Sequence, residues 1–449
     1  MTTRLGRIAL GRIALDRIAL GRIALGRIAL GRIALGRIAL ERIALDVSPV
    51  RASRGFRNLL VGDAVSVIGS QVTLVAVPLQ VYELTHSAAA VGLVGLAGLV
   101  PLVLLGLYGG AVADAVDRRR LVLLTTVGQA ALSGVLLAQA LAGLHAVWLL
   151  YLVVAASSGL FALESPARQA FVPRLLPVAL LPAANALRQV EFNVGVTVGP
   201  LLAGVLVGRY GFGAAYGVDL VSYAASLLAV AALPAMSPEG GGRRAGLTSV
   251  VEGLRFLRSR PVLLTTFVVD LVAMIFAMPR AVFPSLAQHT FHGGEQTAGL
   301  LYSALAAGAL LGALGGGWLG RVHRQGRAVV LAIVGWGVAI SAFGLTSDLW
   351  LALLLLALAG AADMVSAVFR GAILQAAAPD ELRGRLGGVY IVVVAGGPRL
   401  GDARVGGSAA LVGVPGAVVG GGLAVVVLTL AVASRVPRFL AYDARDPQP

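Results

Sequence analysis

From Arg51 onward the apolar positions do not alternate. They gather into twelve long runs separated by short polar segments. The runs cover about 58–83, 88–112, 121–143, 146–166, 190–208, 213–234, 262–287, 297–319, 328–346, 349–370, 386–410 and 413–434. At about 1.5 Å of rise per residue, each is long enough to cross a bilayer core as a helix. The polar segments differ in charge. Odd-numbered connections are short and nearly free of Arg, with Arg209 the exception. Even-numbered connections carry Arg118 to Arg120, then Arg168, Arg174 and Arg188, Arg243 to Arg260, Arg321 to Arg327, and Arg383 with Arg385. Arg51, Arg54 and Arg57 precede the first run, and Arg435 and Arg438 follow the last. Basic loops stay in the cytoplasm. The pattern predicts an all-α membrane protein of twelve transmembrane helices in the cytoplasmic membrane, with both termini cytoplasmic.

Residues 6–45 break this pattern with eight tandem pentads, each a Gly, Asp or Glu followed by Arg-Ile-Ala-Leu. A period of five advances about 140° per pentad on a helix, so the arginines would surround it instead of lining one face. That excludes a good amphipathic helix, and an Arg in every pentad excludes a span. No uninterrupted apolar region or cleavage site marks a signal peptide. Residues 1–50 are expected to be a disordered, dispensable tail, with contact to anionic lipid as the functional alternative. The expected organisation is then 51–234 as a first six-helix half, 235–261 as a linker, 262–434 as a second half and 435–449 as a cytoplasmic tail. In the linker, Pro238-Glu239-Gly240-Gly241-Gly242 is flexible, and Val250 to Leu257 reads as a short amphipathic helix.

Composition closes off other classes. Of 449 residues 58% are hydrophobic, and mean hydropathy is +0.89, which excludes a soluble enzyme with one core. With no Cys there is no disulfide, thiolate metal site or Cys nucleophile. The net charge is +15, and all 36 basic residues are Arg. Outside the tail they cluster at the ends of apolar runs, which argues against a nucleic-acid partner. His86, His145, His289, His292 and His323 fall mostly in predicted loops. His289 and His292 have no third ligand near in sequence, so neither metal nor cofactor is expected. Without Lys there is no phosphate-loop lysine. The chain is expected not to be an enzyme, and to draw energy from an ion gradient.

Two related loops organise the runs. Gly109-Gly110-Ala111-Val112-Ala113-Asp114-Ala115-Val116-Asp117-Arg118-Arg119-Arg120 reads as a hairpin loop between the second and third runs. A degraded copy, Gly317-Trp318-Leu319-Gly320-Arg321-Val322-His323-Arg324-Gln325-Gly326-Arg327, lacks the aspartate. Two copies about two hundred residues apart suggest a duplicated transporter half. The loop resembles the loop 2–3 signature of the major facilitator superfamily. Gly195-Val196-Thr197-Val198-Gly199-Pro200-Leu201-Leu202-Ala203-Gly204 resembles the fifth-span signature of that superfamily's proton-coupled exporters. Its small residues permit close helix contact, and its proline kinks the helix. Glu252 to Leu257, Arg280 to Ala287 and Gly384-Arg385-Leu386 resemble the enterobactin-exporter-like and macrolide-efflux-like branch. The resemblance covers roughly residues 55–440, with Gly396 to Arg404 more charged than the family pattern.

The resemblance implies two six-helix halves rocking around a central site. Spans one, four, seven and ten would line the cavity, and two, five, eight and eleven would border it. It implies export of a small hydrophobic or siderophore-like molecule by proton antiport, from a monomer in the lipid bilayer. The alternatives are a non-transporting scaffold or sensor, or an importer of a small metabolite. Gly109, Gly110, Asp114, Asp117, Arg118, Arg119 and Arg120, with Gly317, Gly320 and Arg321, would form the gating motif. Asp114 would latch against span eleven. Gly195, Gly199, Pro200 and Gly204 would form the exporter motif.

Ionisable residues inside spans are costly and therefore candidates for function. Asp63, Ser66, Ser70 and Thr73 sit at i, i+3, i+7 and i+10, a stripe expected to face the aqueous cavity. Asp363, Ser366 and Arg370 repeat the spacing, with an Asp363–Arg370 pair as the plain reading. Asp270 and Arg280 share span seven, about 15 Å apart. Arg399 and Asp402 are expected to pair at i, i+3. Glu164 with Arg168, and Glu191 with Arg188, read as gate-region pairs, and Asp219 reads as packing. Asp63, Asp363 and Asp402 are the expected proton carriers.

Overall fold

A computed structural model describes residues 46–236, 255–377 and 383–445. The repeat tail and most of the linker lie outside them. In hydrocarbon a backbone must satisfy its own polar groups, and among the described residues long helices do so. These are α1 (Arg54–Thr85), α2 (Ala88–Ala115), α3 (Arg118–Leu141), α4 (Val147–Gln169) and α5 (Leu181–Ala231). The rest are α6 (Pro261–Ala277), α7 (Phe283–His289), α8 (Gly294–Leu314), α9 (Gln325–Phe343), α10 (Leu349–Ala377) and α11 (Arg383–Arg435). Side-chain oxygens start several of them. Ser53 accepts from the Phe56 amide at 3.2 Å, Ser87 from Ala90 at 3.3 Å and Asp117 from Arg120 at 2.9 Å.

Ten helical segments among the described residues are long and apolar enough to cross a membrane. The sequence predicts twelve runs, and two segments hold two runs each. In α5 the break is Gly211 (φ 76°, ψ 176°), and in α11 it is Gly413 (φ 75°, ψ 163°). This backbone is open to glycine and strained for other residues.

Three further expectations are corrected. The predicted hairpin loop at Gly109–Arg120 is helical as far as Ala115, and only Val116 and Asp117 make the turn. Gly109 stays in α2 because it packs there: a Cβ on it would lie 2.6 Å from the Ala162 carbonyl. The helix Ser48–Ala52 crosses the tail boundary drawn at residue 50. The seventh run is not one helix. It divides into α6, a 3-10 turn Arg280–Val282 and α7. Pro279 has no amide proton and cannot continue α6. The Phe276 carbonyl left at this break accepts a hydrogen bond from Arg404 Nη1 at 2.6 Å. Arg404 also donates to the Ala417 carbonyl at 3.3 Å, fastening the break to both arms of α11.

Arginines crowd one end of the bundle, where α1, α3, α6 and α9 begin. Within α1–α5, glycines bring helices into backbone contact. A Cβ on Gly62 would lie 2.5 Å from the Ala229 Cβ and 2.8 Å from the Ala225 carbonyl. In α6–α11 the same device joins α8 to α10 through Gly308 and Gly360. The two groups meet chiefly along α2–α11 and α5–α8. There a Cβ on Gly92 would lie 2.7 Å from the Asp402 carbonyl, and one on Gly204 2.7 Å from the Glu295 carbonyl. Ser303 donates to the Thr197 carbonyl at 2.9 Å. All these contacts sit toward the Arg-poor end. Toward the Arg-rich end the glycines Gly109 and Gly312 meet only residues of their own group, among them Ala162 and Ala361. The close glycine contacts between the two groups thus gather toward one end.

Gly62→Leu should lower the thermal midpoint of the purified protein, because overpacking costs about 1–3 kcal/mol. Gly420→Ala, whose Cβ meets nothing within 4 Å, should leave it unchanged or raise it. Differential scanning fluorimetry in detergent reads both.

Candidate functional site

The densest polar cluster lies at the Arg-rich end of α4. Arg168 is helical because it ends a regular run begun at Val147, and that run delivers it between α1, α3 and α5. Its guanidinium forms ion pairs with Asp63 of α1 and Glu164 one turn earlier. It also donates to Thr126 Oγ1 at 3.2 Å and Ser226 Oγ at 2.9 Å. Glu164 accepts a second bond from Thr125 at 2.9 Å. Arg188 of α5 reaches the other oxygen of Asp63 at 3.3 Å. Asp63 is 3% exposed, so this carboxylate is neutralised by two arginines away from bulk water.

The second group of helices repeats the arrangement. Arg370 of α10 pairs with Asp270 of α6, donates to Ser366 Oγ at 3.0 Å, and stands 3.8 Å from Asp363. Asp63 and Asp270, and likewise Arg168 and Arg370, lie roughly two hundred residues apart, as in a duplicated transporter half. Counting α6 and α7 as one membrane segment, in both groups the first segment supplies Asp, the fourth supplies Arg, and the Arg also holds the residue four before it. The Asp363–Arg370 pair is therefore present, at 3.8 Å, but it is not the tightest contact Arg370 makes. Arg370 takes its shorter bond from a different helix, and the Asp363 side chain stays 38% exposed.

A third cluster sits deeper, where α2 meets α11. Asp402 faces both Arg280 and Arg399, and its Oδ1 is buried with no hydrogen-bond partner. Arg399 donates to Ala395 in its own helix at 3.0 Å and to Ser158 of α4 at 3.5 Å. The 3-10 turn after the α6 break holds Arg280 here, and Tyr302 donates to the Arg280 carbonyl at 3.0 Å. Asp402 thus lies within electrostatic reach of arginines on two elements and forms no close ion pair within its helix.

The polar stripe of α1 does not face open water. Asp63 and Ser66 are buried, Ser70 bonds its own helix at Val67, and Thr73 donates to Asp219 at 2.8 Å. Ser133 donates to the same oxygen at 2.6 Å, placing Asp219 in packing between α1, α3 and α5. Arg188 turns to Asp63, and Glu191 Oε2 is buried without a partner. In the loop motif, Asp117 also accepts from the Met236 amide at 2.8 Å, and Arg119 bonds the Val230 and Ala231 carbonyls. These ties bind the α2–α3 turn to the end of α5. Gly110 and Asp114 are helical residues of α2, and the Asp114 side chain and the surroundings of Gly110 lie outside what is described. In the second copy, Gly317 and Gly320 meet nothing within 4 Å, and Arg321 is exposed. In the span-five motif, Gly195 and Gly199 pack on Val67 and Gln71 of α1, while Pro200 and Gly204 meet Gly299 of α8. Sequence reasoning missed Arg404 and the acceptors Thr126, Ser158 and Ser226. The signal for Arg404 was Pro279 inside an apolar run, which demands a partner for a freed carbonyl.

Two helix groups, each pinned by a membrane-buried Asp–Arg pair and joined at one end, define a multi-pass membrane transporter of the major facilitator superfamily, not an enzyme. Within that class, the chain belongs to the transmembrane secretion effector family, whose model matches residues 45–448. It is 29% identical over 368 residues to the enterobactin exporter EntS of Citrobacter koseri, covering 82% of this chain and 88% of that one. EntS of Escherichia coli O1:K1 / APEC matches with the same identity and coverage. Among solved structures, the nucleoside transporter NupG superposes with a TM-score of 0.65 at 14% identity, over 86% of this chain and 98% of that one. A bacterial homologue of the iron transporter ferroportin, in its inward-facing state, gives 0.63 at 14% identity, over 86% and 99%.

Arg168→Ala leaves Asp63 and Glu164 without their shared partner. Breaking a buried pair costs about 3–5 kcal/mol. The variant should show a markedly lower thermal midpoint. Asp63→Asn combined with Arg168→Gln should lose less than the two single changes summed, which a double-mutant cycle measures.

Proposed function

We propose that this protein exports a small, siderophore-like molecule from the cytoplasm by alternating access. The observation that carries the proposal is the one-ended closure: every close glycine contact between the helix groups lies toward the Arg-poor end. By the positive-inside rule the Arg-rich end faces the cytoplasm, with both termini there. The conformation is then open inward, ready to load cytoplasmic substrate. Twelve spans follow when α5 and α11 are each taken as two spans turning at Gly211 and Gly413. The halves are 51–234 and 262–434, with 235–261 as the linker between them.

The resemblance to enterobactin exporters supports a siderophore-like substrate. Exposed apolar side chains toward the Arg-rich ends of α2, α5 and α8 suit such a molecule. Inward proton flow drives the cycle in this reading. A carboxylate that moves between hydration and contact with an arginine changes its proton affinity. Asp363 and Asp402 have the setting for this: one is partly exposed beside Arg370, the other buried between Arg280 and Arg399. Asp63 is the third carrier considered. Asp114 acts as the latch of the gating motif.

Two measurements test the proposal. Deleting the gene should leave one compound retained in cells and depleted from the medium, read by metabolite profiling. In proteoliposomes with an imposed pH gradient, that compound should accumulate against its own gradient. Asp→Asn at the coupling position among 63, 363 and 402 should abolish this accumulation while leaving downhill exchange. If no compound shifts on deletion, export is wrong. If all three variants still accumulate substrate, proton coupling through these groups is wrong.

A further inference from the structure

An open groove of about 570 Å³ lies at the Arg-rich end of α9 and α10, beneath the second copy of the loop motif. Its floor is made of small side chains, Ala332 of α9 with Ala361 and Ala362 of α10. Small residues at these positions leave an apolar channel where two helices would otherwise fill the space. Arg324 and Arg327 stand at its mouth, and Trp318 forms one wall. No acidic residue lines it.

The groove opens away from the ion-pair cluster. On α10, Ala361 and Val365 lie about 160–200° around the helix from Asp363, which points toward Arg370. The groove instead continues an exposed apolar face: Leu351, Leu354 and Leu358 lead into it along α10, and Leu331 and Val338 are exposed on α9. In a membrane-spanning chain such a face meets acyl chains. The two copies of the loop motif differ at this point. In the first, Arg119 is used up by the carbonyls of Val230 and Ala231. In the second, Arg324 and Arg327 are exposed, and among the described residues neither has a hydrogen-bond or ion-pair acceptor. Backbone contacts hold the second loop without them: the Ala444 amide donates to the His323 carbonyl at 2.9 Å, and Gly326 packs on Phe439. The nearby Asp443 is engaged by Arg445 at 2.9 Å.

We propose that this groove is a binding site for one anionic glycerophospholipid, with the phosphate on Arg324 and Arg327 and an acyl chain along the alanine floor. Basic pockets at the ends of membrane helices attract anionic headgroups in this way. The site is independent of the transported substrate and of the direction of transport.

The test uses the full chain purified in detergent, offered equal amounts of dioleoyl phosphatidylglycerol and dioleoyl phosphatidylcholine, with retained lipid read by native mass spectrometry. Phosphatidylglycerol should be retained in preference. Arg324→Gln with Arg327→Gln should weaken its retention roughly tenfold or more, given two headgroup charges lost. Arg324→Lys with Arg327→Lys should keep most of it, and Ala332→Trp should remove it by filling the floor. Arg209→Gln, an exposed Arg at the opposite end, should change nothing. Millimolar inorganic phosphate should not compete. A second measurement needs no Arg variant: brominated phosphatidylglycerol should quench tryptophan fluorescence more than brominated phosphatidylcholine, and Trp318→Phe should erase the difference. Equal retention of both lipids by the wild type, unchanged retention in the Gln variant, or competition by free phosphate would overturn the proposal.

Discussion

A guanidinium placed inside a helix bundle constrains everything around it. An uncompensated charge in the membrane is expensive, so Arg168 must be met from several helices at once. Asp63, Glu164, Thr126 and Ser226 meet it, from α1, α4, α3 and α5. No one of those helices can slide without leaving a charge or a hydroxyl unsatisfied. Arg370 imposes the same constraint on α6 and α10 through Asp270. These ties resist sliding of the helices they join within each group, or body.

The contacts between the two bodies are of another kind. They are chiefly glycine-on-backbone contacts, Gly92 and Gly95 against α11 and Gly204 and Gly299 across α5–α8, with the hydrogen bonds Ser303–Thr197 and Arg399–Ser158 beside them. Such contacts depend on close approach and dispersion, and no ion pair is broken when they part. Strong ionic ties within the bodies and weak, short-range ones between them favour rocking over internal rearrangement. The break between α6 and α7 is the exception, and Arg404 stabilises it by bonding the freed Phe276 carbonyl and Ala417 together. That break carries Arg280 to Asp402 at the seam between the bodies. An exporter of the major facilitator superfamily needs this combination: rigid halves, a separable seam, and charge close to it.

Much of the fold was legible in the sequence because bilayer thickness fixes the length of an apolar run. The helix ranges agree with the predicted runs wherever a single run forms a single helix. The failures have physical causes. Gly109 looked like a loop residue, but its missing side chain serves packing on Ala162 within α2. The run around Pro279 looked continuous in hydropathy, which is blind to a lost amide proton. Partners of the buried charges were hardest. Helical spacing joins Asp363 to Arg370 and Arg399 to Asp402 because it sees one helix at a time. The tighter partner of Arg370 is Asp270, on another helix a hundred residues away, and Asp402 also feels the charge of Arg280. The α1 stripe was rightly seen as one face, but periodicity does not say whether a polar face meets water or another helix. It meets Arg168 and Asp219.

Rocking of the two bodies about the seam, with each internally rigid, is directly measurable. The chain contains no Cys, so spin labels can be placed without background substitutions. Exposed Leu124 and Leu331 mark the Arg-rich ends of the two bodies, Leu141 and Leu345 the Arg-poor ends, and Leu228 a second point on the first body. Double electron–electron resonance in nanodiscs, across a pH series with and without substrate, should show the 124–331 distance shortening as the 141–345 distance lengthens. The 124–228 distance within the first body should stay constant. If the two end distances do not change in opposite directions, or the distance within the first body changes as much as they do, the account is contradicted.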